Sequence, residues 1–189
     1  MEYIKYFLLW CLTPVQRVMQ HIGKAETKIT KAQVDRLMSK IIAGDILLSY
    51  ETQRLTSLFI KGDWDHAAIV TKQQSVIESI GSGVREVPLE EWLYKKDAVK
   101  VKRTYLSDDV RRAAASYALR YLGYAYNFTF SYLNPFHLNA KRKGVYCSQL
   151  VYECYVLAMP MFMKLMKPKA EILPIDFEMF ETIDDTKLG

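Results

Sequence analysis

Trp64-Asp65-His66-Ala67-Ala68-Ile69-Val70-Thr71, Lys72-Gln73-Gln74 and Ser75-Val76-Ile77-Glu78-Ser79-Ile80 run consecutively, and their pattern decides the fold. Two short β-branched, apolar runs flank a polar turn, which predicts an antiparallel hairpin. In the first run His66, Ala68 and Val70 share one face, while Ala67 and Ile69 take the other. Glu78 interrupts an otherwise apolar strand, where a carboxylate is costly unless it is paired. His66 and Glu78 are twelve residues apart, and an even separation puts them on the same face. Directly opposed, their Cβ atoms would lie roughly 4.5–5.5 Å apart. A one-residue slip would send Glu78 to the opposite face. The plainer readings of these two residues are a structural histidine and an edge-strand charge facing solvent.

Outward from the hairpin, Gly44-Asp45-Ile46-Leu47-Leu48-Ser49 reads as a strand opened by a turn, and Thr52–Ile60 as a short helix ended by Gly62. Gly81-Ser82-Gly83 is a turn, Val84–Val87 a strand, and Pro88 starts a helix through Leu93. Ala98–Tyr105 alternates like a strand. Ser107 caps a helix with Asp108 and Asp109 in its first turn, where the dipole favours them, and Gly123 ends it. An aromatic loop, 124–139, precedes a helix from Cys147 to Met159 that Pro160 stops. Upstream, residues 13–40 read as helical with a break at Gly23, and Val34, Leu37, Met38 and Ile41 share a face. The tail, with Pro168 and Pro174, is expected to hold little structure. This pattern is α+β, a mainly antiparallel sheet flanked by helices. It divides into an N-terminal helical extension, 1–42, and a domain, 43–189.

Composition sets outer limits. In 189 residues, 26 Lys and Arg against 21 Asp and Glu give a net charge of +5, a mild excess spread along the chain. It suits anionic surfaces but is common in proteins that bind none. No finger spacing or RNA-binding aromatic signature accompanies it, so no nucleic-acid partner is expected. Three scattered histidines and three cysteines give no tetrahedral metal set, and no cofactor loop is present. Cys147 and Cys154 lie two helical turns apart, too far to bridge, so the thiols are expected to be reduced. Residues 3–12 are apolar but too short to span a bilayer, and Trp10 beside Cys11 does not fit a lipoprotein box. They read either as a helix packed on the domain or as a peripheral contact with a membrane or partner. No clear signal peptide is read, and a cytoplasmic or peripherally membrane-associated location is expected.

Cys147 opens a helix in Tyr146-Cys147-Ser148-Gln149-Leu150-Val151. There a thiol meets the positive end of the helix dipole, a setting that brings thiol pKa values from ~8.5 to roughly 3.5–7.5. Cys154, on the same face two turns on, suits a core thiol. A nucleophile needs a base, and His66 is better placed than His21 or His137: it opens a strand with small neighbours and has Glu78 to orient it. Cys147, His66 and Glu78 form the candidate catalytic triad.

In order, Gly44-Asp45-Ile46-Leu47-Leu48, Trp64 to Val70, Val76-Ile77-Glu78, Gly123-Tyr124-Ala125-Tyr126-Asn127-Phe128 and Tyr146 to Val151 resemble the permuted branch of the NlpC/P60 superfamily, especially its YiiX/YebB-like group. Leu173-Pro174-Ile175-Asp176-Phe177 resembles a weaker motif near the end of such domains. The resemblance implies a circularly permuted papain-like fold, with the histidine strand ahead of the cysteine helix, and a Cys-His-polar triad whose third member is Glu78. It also implies that Tyr126 lines the site and that Tyr146, Ser148 and Asp45 help bind substrate. Gln149 stands where many relatives carry Glu, on a side expected to face away from the chemistry.

The expected function is that of a cysteine hydrolase, an amidase or peptidase, acting through a thioester acyl-enzyme on a peptide, cell-wall peptide or acyl-amide. Two alternatives stand beside it. One is a membrane-surface lipid acyltransferase or phospholipase of the lecithin:retinol acyltransferase-like branch. The other is a non-catalytic papain-like binding module.

Overall fold

The computed structural model describes residues 28–51, 63–72, 74–127, 144–166 and 172–187. Residues 3–12, His21, the stretch 52–60, His137 and most of the aromatic loop fall outside them. In chain order the elements are α1 (Lys31–Lys40), β1 (Ile46–Tyr50), β2 (His66–Val70), β3 (Ser75–Ile80), β4 (Gly83–Pro88), α2 (Leu89–Tyr94) and β5 (Ala98–Arg103). There follow α3 (Asp108–Ala118), β6 (Ala125–Tyr126), β7 (Gly144–Val145), α4 (Cys147–Ala158), α5 (Phe162–Leu165), a 3-10 segment Pro174–Met179 and β8 (Glu181–Asp185).

Six strands form one sheet in the order β4-β3-β2-β1-β5-β8, and every neighbouring pair is antiparallel. Alternation sends Ile46, Leu48, Ala67, Ile69 and Ile77 to one face, where α3 and α4 cover them through Ala114, Ala118, Leu150, Val151 and Cys154. Leu47, Ala68, Val70, Val76, Val99 and Val101 face the other way, against Val34 and Leu37 of α1 and Leu89, Trp92 and Leu93 of α2. Two apolar layers, one per face, explain why the strands read as near-continuous hydrophobic runs.

Turn chemistry sets the corners. Gly44 has φ +87°, and a Cβ there would sit 2.5 Å from the carbonyl oxygen of Arg111. Gly83 has φ +116°, with the Tyr124 carbonyl 2.6 Å from its would-be Cβ. Only glycine suits both conformation and space. α1 opens with a capping box: Gln33 N–H donates to Thr30 Oγ1 at 3.3 Å, and Thr30 N–H donates to Gln33 Oε1 at 2.8 Å.

The described part of the 1–42 extension packs against the sheet. Ile29, Val34, Leu37 and Ile41 complete one core layer, and Ile29 N–H donates to the Lys96 carbonyl at 3.1 Å. The tail, expected to hold little structure, supplies edge strand β8. Its sequence, Glu181-Thr182-Ile183-Asp184-Asp185, lacks an apolar alternation. It is held by charge as well as by backbone pairing: Asp184 bonds Arg36 at 2.9 Å and Lys40 at 2.7 Å, and Asp185 lies 3.0 Å from Lys100.

Candidate active site

His66 is the first residue of β2, opposite Ser49 of β1. The β2–β3 register pairs Ala68 with Glu78. Glu78 is thus not directly opposed to His66 as the hairpin reading expected. It sits two residues along, on the same face, within diagonal reach of a long side chain. His66 Nε2–H donates to Glu78 Oε2 at 2.7 Å, with the two side chains 3% and 0% exposed.

The carboxylate has further donors. Arg85 of β4 lies directly opposite Glu78 and donates to Oε1 from Nε at 3.0 Å and Nη2 at 2.7 Å. The Trp92 indole of α2 donates to Oε2 at 2.8 Å. Burial alone would raise the Glu78 pKa. The hydrogen bond and charge of His66, the Lys96 ammonium and the Trp92 bond outweigh it, holding the carboxyl well below the usual range. The Arg85 guanidinium, in direct contact, acts in the same sense. Glu78 is therefore a fixed anion, with its oxygens saturated and its orientation set.

Cys147 begins α4, and Tyr146 at the N-cap supplies no side-chain cap. The thiol is reduced and 2% exposed. Ser79, next to Glu78, donates from Oγ to the Val145 carbonyl at 2.6 Å. This bond fixes the chain two residues before Cys147 to the strand that carries Glu78. Tyr126 pairs in parallel with Val145 across the β6–β7 bridge, two residues before Cys147 in sequence. The Leu150, Val151 and Cys154 stripe of α4 packs on the face of Ala67 and Ile69. By alternation His66 and Glu78 take the opposite face, with Trp92. Any approach of thiol and imidazole therefore runs round the end of the hairpin, where α4 starts, and not through the sheet. Cys154 is fully buried in the core, and burial pushes its thiol up.

The remaining predicted site residues have other partners. Tyr146 Oη accepts from Ile172 N–H at 3.1 Å, and Ser148 Oγ donates to the Ile172 carbonyl at 2.7 Å. The two neighbours of Cys147 thus clamp one residue of the C-terminal segment by both backbone groups. Asp45 is fully buried at the far end of β1 from Ser49, roughly 13 Å along the strand from His66's partner. It accepts from Arg103 Nε at 2.8 Å and Nη2 at 2.7 Å and from Ile42 N–H at 2.9 Å. The structure does not bring it to the His66–Glu78 pair. Gln149 lines a cavity with Val145, Tyr121, Tyr124 and Glu153, a lining that does not include Cys147.

Sequence reasoning missed Arg85 and Trp92. The turn at Gly81-Ser82 carries the signal for Arg85, since a two-residue turn there puts an arginine opposite the buried glutamate. Trp92 had no such cue. Among the described residues, no group of three His, Cys, Asp or Glu side chains could hold a metal.

No curated protein matches the chain. The sequence model of the family described as permuted papain-like amidase enzyme, YaeF/YiiX, C92 family, matches residues 40–171. That span takes in the hairpin, Tyr126 and the start of α4, with the histidine strand ahead of the cysteine helix as the permuted order requires. The chain belongs to this permuted papain-like amidase family.

Proposed function

We propose that the protein is a cysteine hydrolase of amide bonds in peptide or acyl-amide substrates, with Cys147 as nucleophile, His66 as base and Glu78 as the group that orients the base. The observation that carries this reading is the 2.7 Å bond from His66 Nε2 to a fully buried Glu78. Committing Nε2 to the carboxylate sets the tautomer and leaves Nδ1 as the nitrogen to serve the thiol. Nδ1 takes the Cys147 proton, and the thiolate attacks the substrate carbonyl carbon. The Cys147 backbone N–H and the Tyr126 hydroxyl hold the oxyanion. As the tetrahedral intermediate collapses, the C–N bond breaks and the imidazolium gives its proton to the leaving amine. A thioester remains. Water, deprotonated by His66, attacks it; the C–S bond breaks and the acid leaves.

Alkylation tests the first step. Iodoacetamide applied across pH, with the adduct mapped by mass, should modify Cys147 well before Cys154 and at a pH below ~8.5, the value for an ordinary thiol. Slow, equal modification of both would sink the proposal. Biological activity intact in Cys147→Ala would instead favour a binding module.

A second reading, acyl transfer at a membrane surface, draws support from Leu157 and Met161, which are 46% and 61% exposed near the end of α4. Among the described residues no helix is long and apolar enough to cross a membrane, so contact would be peripheral. Liposome flotation with and without residues 1–12 separates the cases: no flotation of either form removes this reading.

A further inference from the structure

Two lysines follow α2 and take opposite courses. The Lys95 side chain is exposed and pairs with Glu91 at 2.6 Å. The Lys96 side chain is 3% exposed. Its backbone is fixed on both sides: Lys96 N–H donates to the Leu93 carbonyl at 3.0 Å, and the Lys96 carbonyl accepts from Ile29 N–H at 3.1 Å. A lysine stem ordinarily runs along apolar surface and leaves its ammonium in water. Here the ammonium turns inward, onto the Glu51 carboxylate and over the face of Trp92, 4.4 Å from the ring centre. The same indole donates to Glu78 Oε2, the oxygen that also takes His66 Nε2–H. Cation, indole, carboxylate and imidazole form one buried chain on the face of the sheet that carries α2.

Pairing with Glu51 accounts for the burial of the charge, but not for the ring beneath it. An ammonium over an indole is attracted by the ring quadrupole. It fixes the plane of the ring, and with it the direction of the indole N–H. It also polarises that N–H and strengthens its bond to Oε2. The field acts in the same place. Near the imidazole stand three carboxylates: Glu78 on β3, Asp65 beside His66 in the chain, and Glu51, whose N–H donates to Asp65 Oδ2 at 3.4 Å. Two cations oppose them, Arg85 on β4 and Lys96, while the flanking Lys28 and Asp97 pair with each other at 2.7 Å. Arg85 is half exposed, so water screens it. Lys96 is buried, and its charge helps to keep Glu78 ionised. Without it, three carboxylates would face one screened guanidinium, and an imidazolium would be held too firmly to pass on its proton. We propose that Lys96 is a positioning residue for the His66–Glu78 pair, holding the Trp92 indole against the Glu78 carboxylate and so setting how readily His66 gains and gives up a proton. This rests on the hydrolase reading above and adds to it the group that tunes its base.

The test reads His66 directly. The chain has three histidines, so the His66 ring signal is assigned by its loss in His66→Gln and titrated by NMR in the full-length protein. Lys96→Met, which keeps the apolar stem, should raise the His66 pKa by about one unit. Lys96→Arg, which keeps the charge, should titrate close to wild type, whatever its Tm. Trp92→Phe removes the N–H and keeps an aromatic ring. In that background Lys96→Met should move His66 less than it does alone, because the route through the indole is already cut. Should Lys96→Met not fold, Lys96→Gln, which still donates to Glu51, carries the same comparison. An unmoved His66 titration in the folded neutral variant overturns the inference and leaves a buried ion pair that serves stability alone. An equal shift in the Trp92→Phe background overturns it too. A shifted titration in a protein that hydrolyses no amide upholds the link and sinks the hydrolase reading alone.

Discussion

The sheet holds two fully buried carboxylates, Glu78 and Asp45, and each grips an arginine through two nitrogen donors. Burial and ion pairing do not tell them apart. Their remaining partners do. Asp45 spends its other bond on the Ile42 backbone N–H, closing the turn that opens β1. Glu78 spends its other oxygen on an indole and on an imidazole at the head of a strand. One carboxylate organises backbone, the other organises a titratable side chain. A buried acid in a strand therefore marks a place where the fold needs an anion, and the hydrogen-bond partner decides whether that need is structural or chemical.

The sharpest way to break this contrast is to remove each charge in turn. Glu78→Gln should lower kcat/KM about a thousandfold, since the orienting anion of a triad is worth up to ~10⁴ in rate. Asp45→Asn should leave turnover per folded molecule close to wild type and act on stability. Arg103 would lose its carboxylate and keep only the Lys40 carbonyl while 20% exposed, at a cost of about 3 kcal/mol. For a chain of this size that lowers Tm by about 6–12 °C. Paired kinetics and thermal melts on the two variants decide it. A turnover defect in folded Asp45→Asn as large as that of Glu78→Gln would erase the distinction.

Acid titration sharpens it further. The folded-state pKa of Glu78 lies well below its ordinary value of 4.5. A depressed carboxyl pKa means the unfolded chain binds its proton first as pH falls. The stabilisation from the Glu78 anion is therefore complete above about pH 4.5 and is lost progressively below it. Urea unfolding from pH 7 to pH 2 should show wild type losing stability more steeply below that point than Glu78→Gln does. Parallel curves would mean that the anion contributes nothing to the fold.

Much of this was legible beforehand, for physical reasons that differ by residue. His66 and Glu78 sharing a face follows from the two-residue period of strands, which survives any even shift. Their exact opposition does not follow, because the turn sets register. Val70 pairs with Val76, and that puts Ala68 opposite Glu78 and leaves the imidazole to reach along the diagonal. Cys147 at the start of a helix was readable from the apolar spacing behind it. β8 was not, because Glu181-Thr182-Ile183-Asp184-Asp185 shows no alternation and depends on Arg36, Lys40 and Lys100, all distant in sequence. Asp45 looked like a site residue because it stands within a recognisable motif, and a motif marks what a fold needs as readily as what its chemistry needs. Tyr146 and Ser148 flank Cys147, yet both hold Ile172, a long-range tie that no local pattern announces.

The smallest expected effect concerns the two arginines. Arg85 is 46% exposed and Arg103 is 20% exposed, although each makes a two-point contact with a fully buried acid. Solvent at Arg85 screens its attraction and can replace its hydrogen bonds, so its loss costs little stability. What remains is its effect on where the Glu78 carboxylate points and how strongly that anion holds His66. Arg85→Gln should lower kcat/KM several-fold, with Tm nearly unchanged. It should also move the alkaline limb of the pH–rate profile upward, because Glu78 would then stabilise an imidazolium without a neighbouring cation to offset it. Arg85→Lys should restore the limb but only part of the rate, since an ammonium supplies the charge without the planar two-point contact. Arg103→Gln should do the reverse, lowering Tm and leaving both limbs in place. A pH profile of Arg85→Gln that superimposes on wild type would show that the guanidinium is only a lid on a buried charge, and the two acid–arginine pairs would then differ only in the remaining partners of each acid.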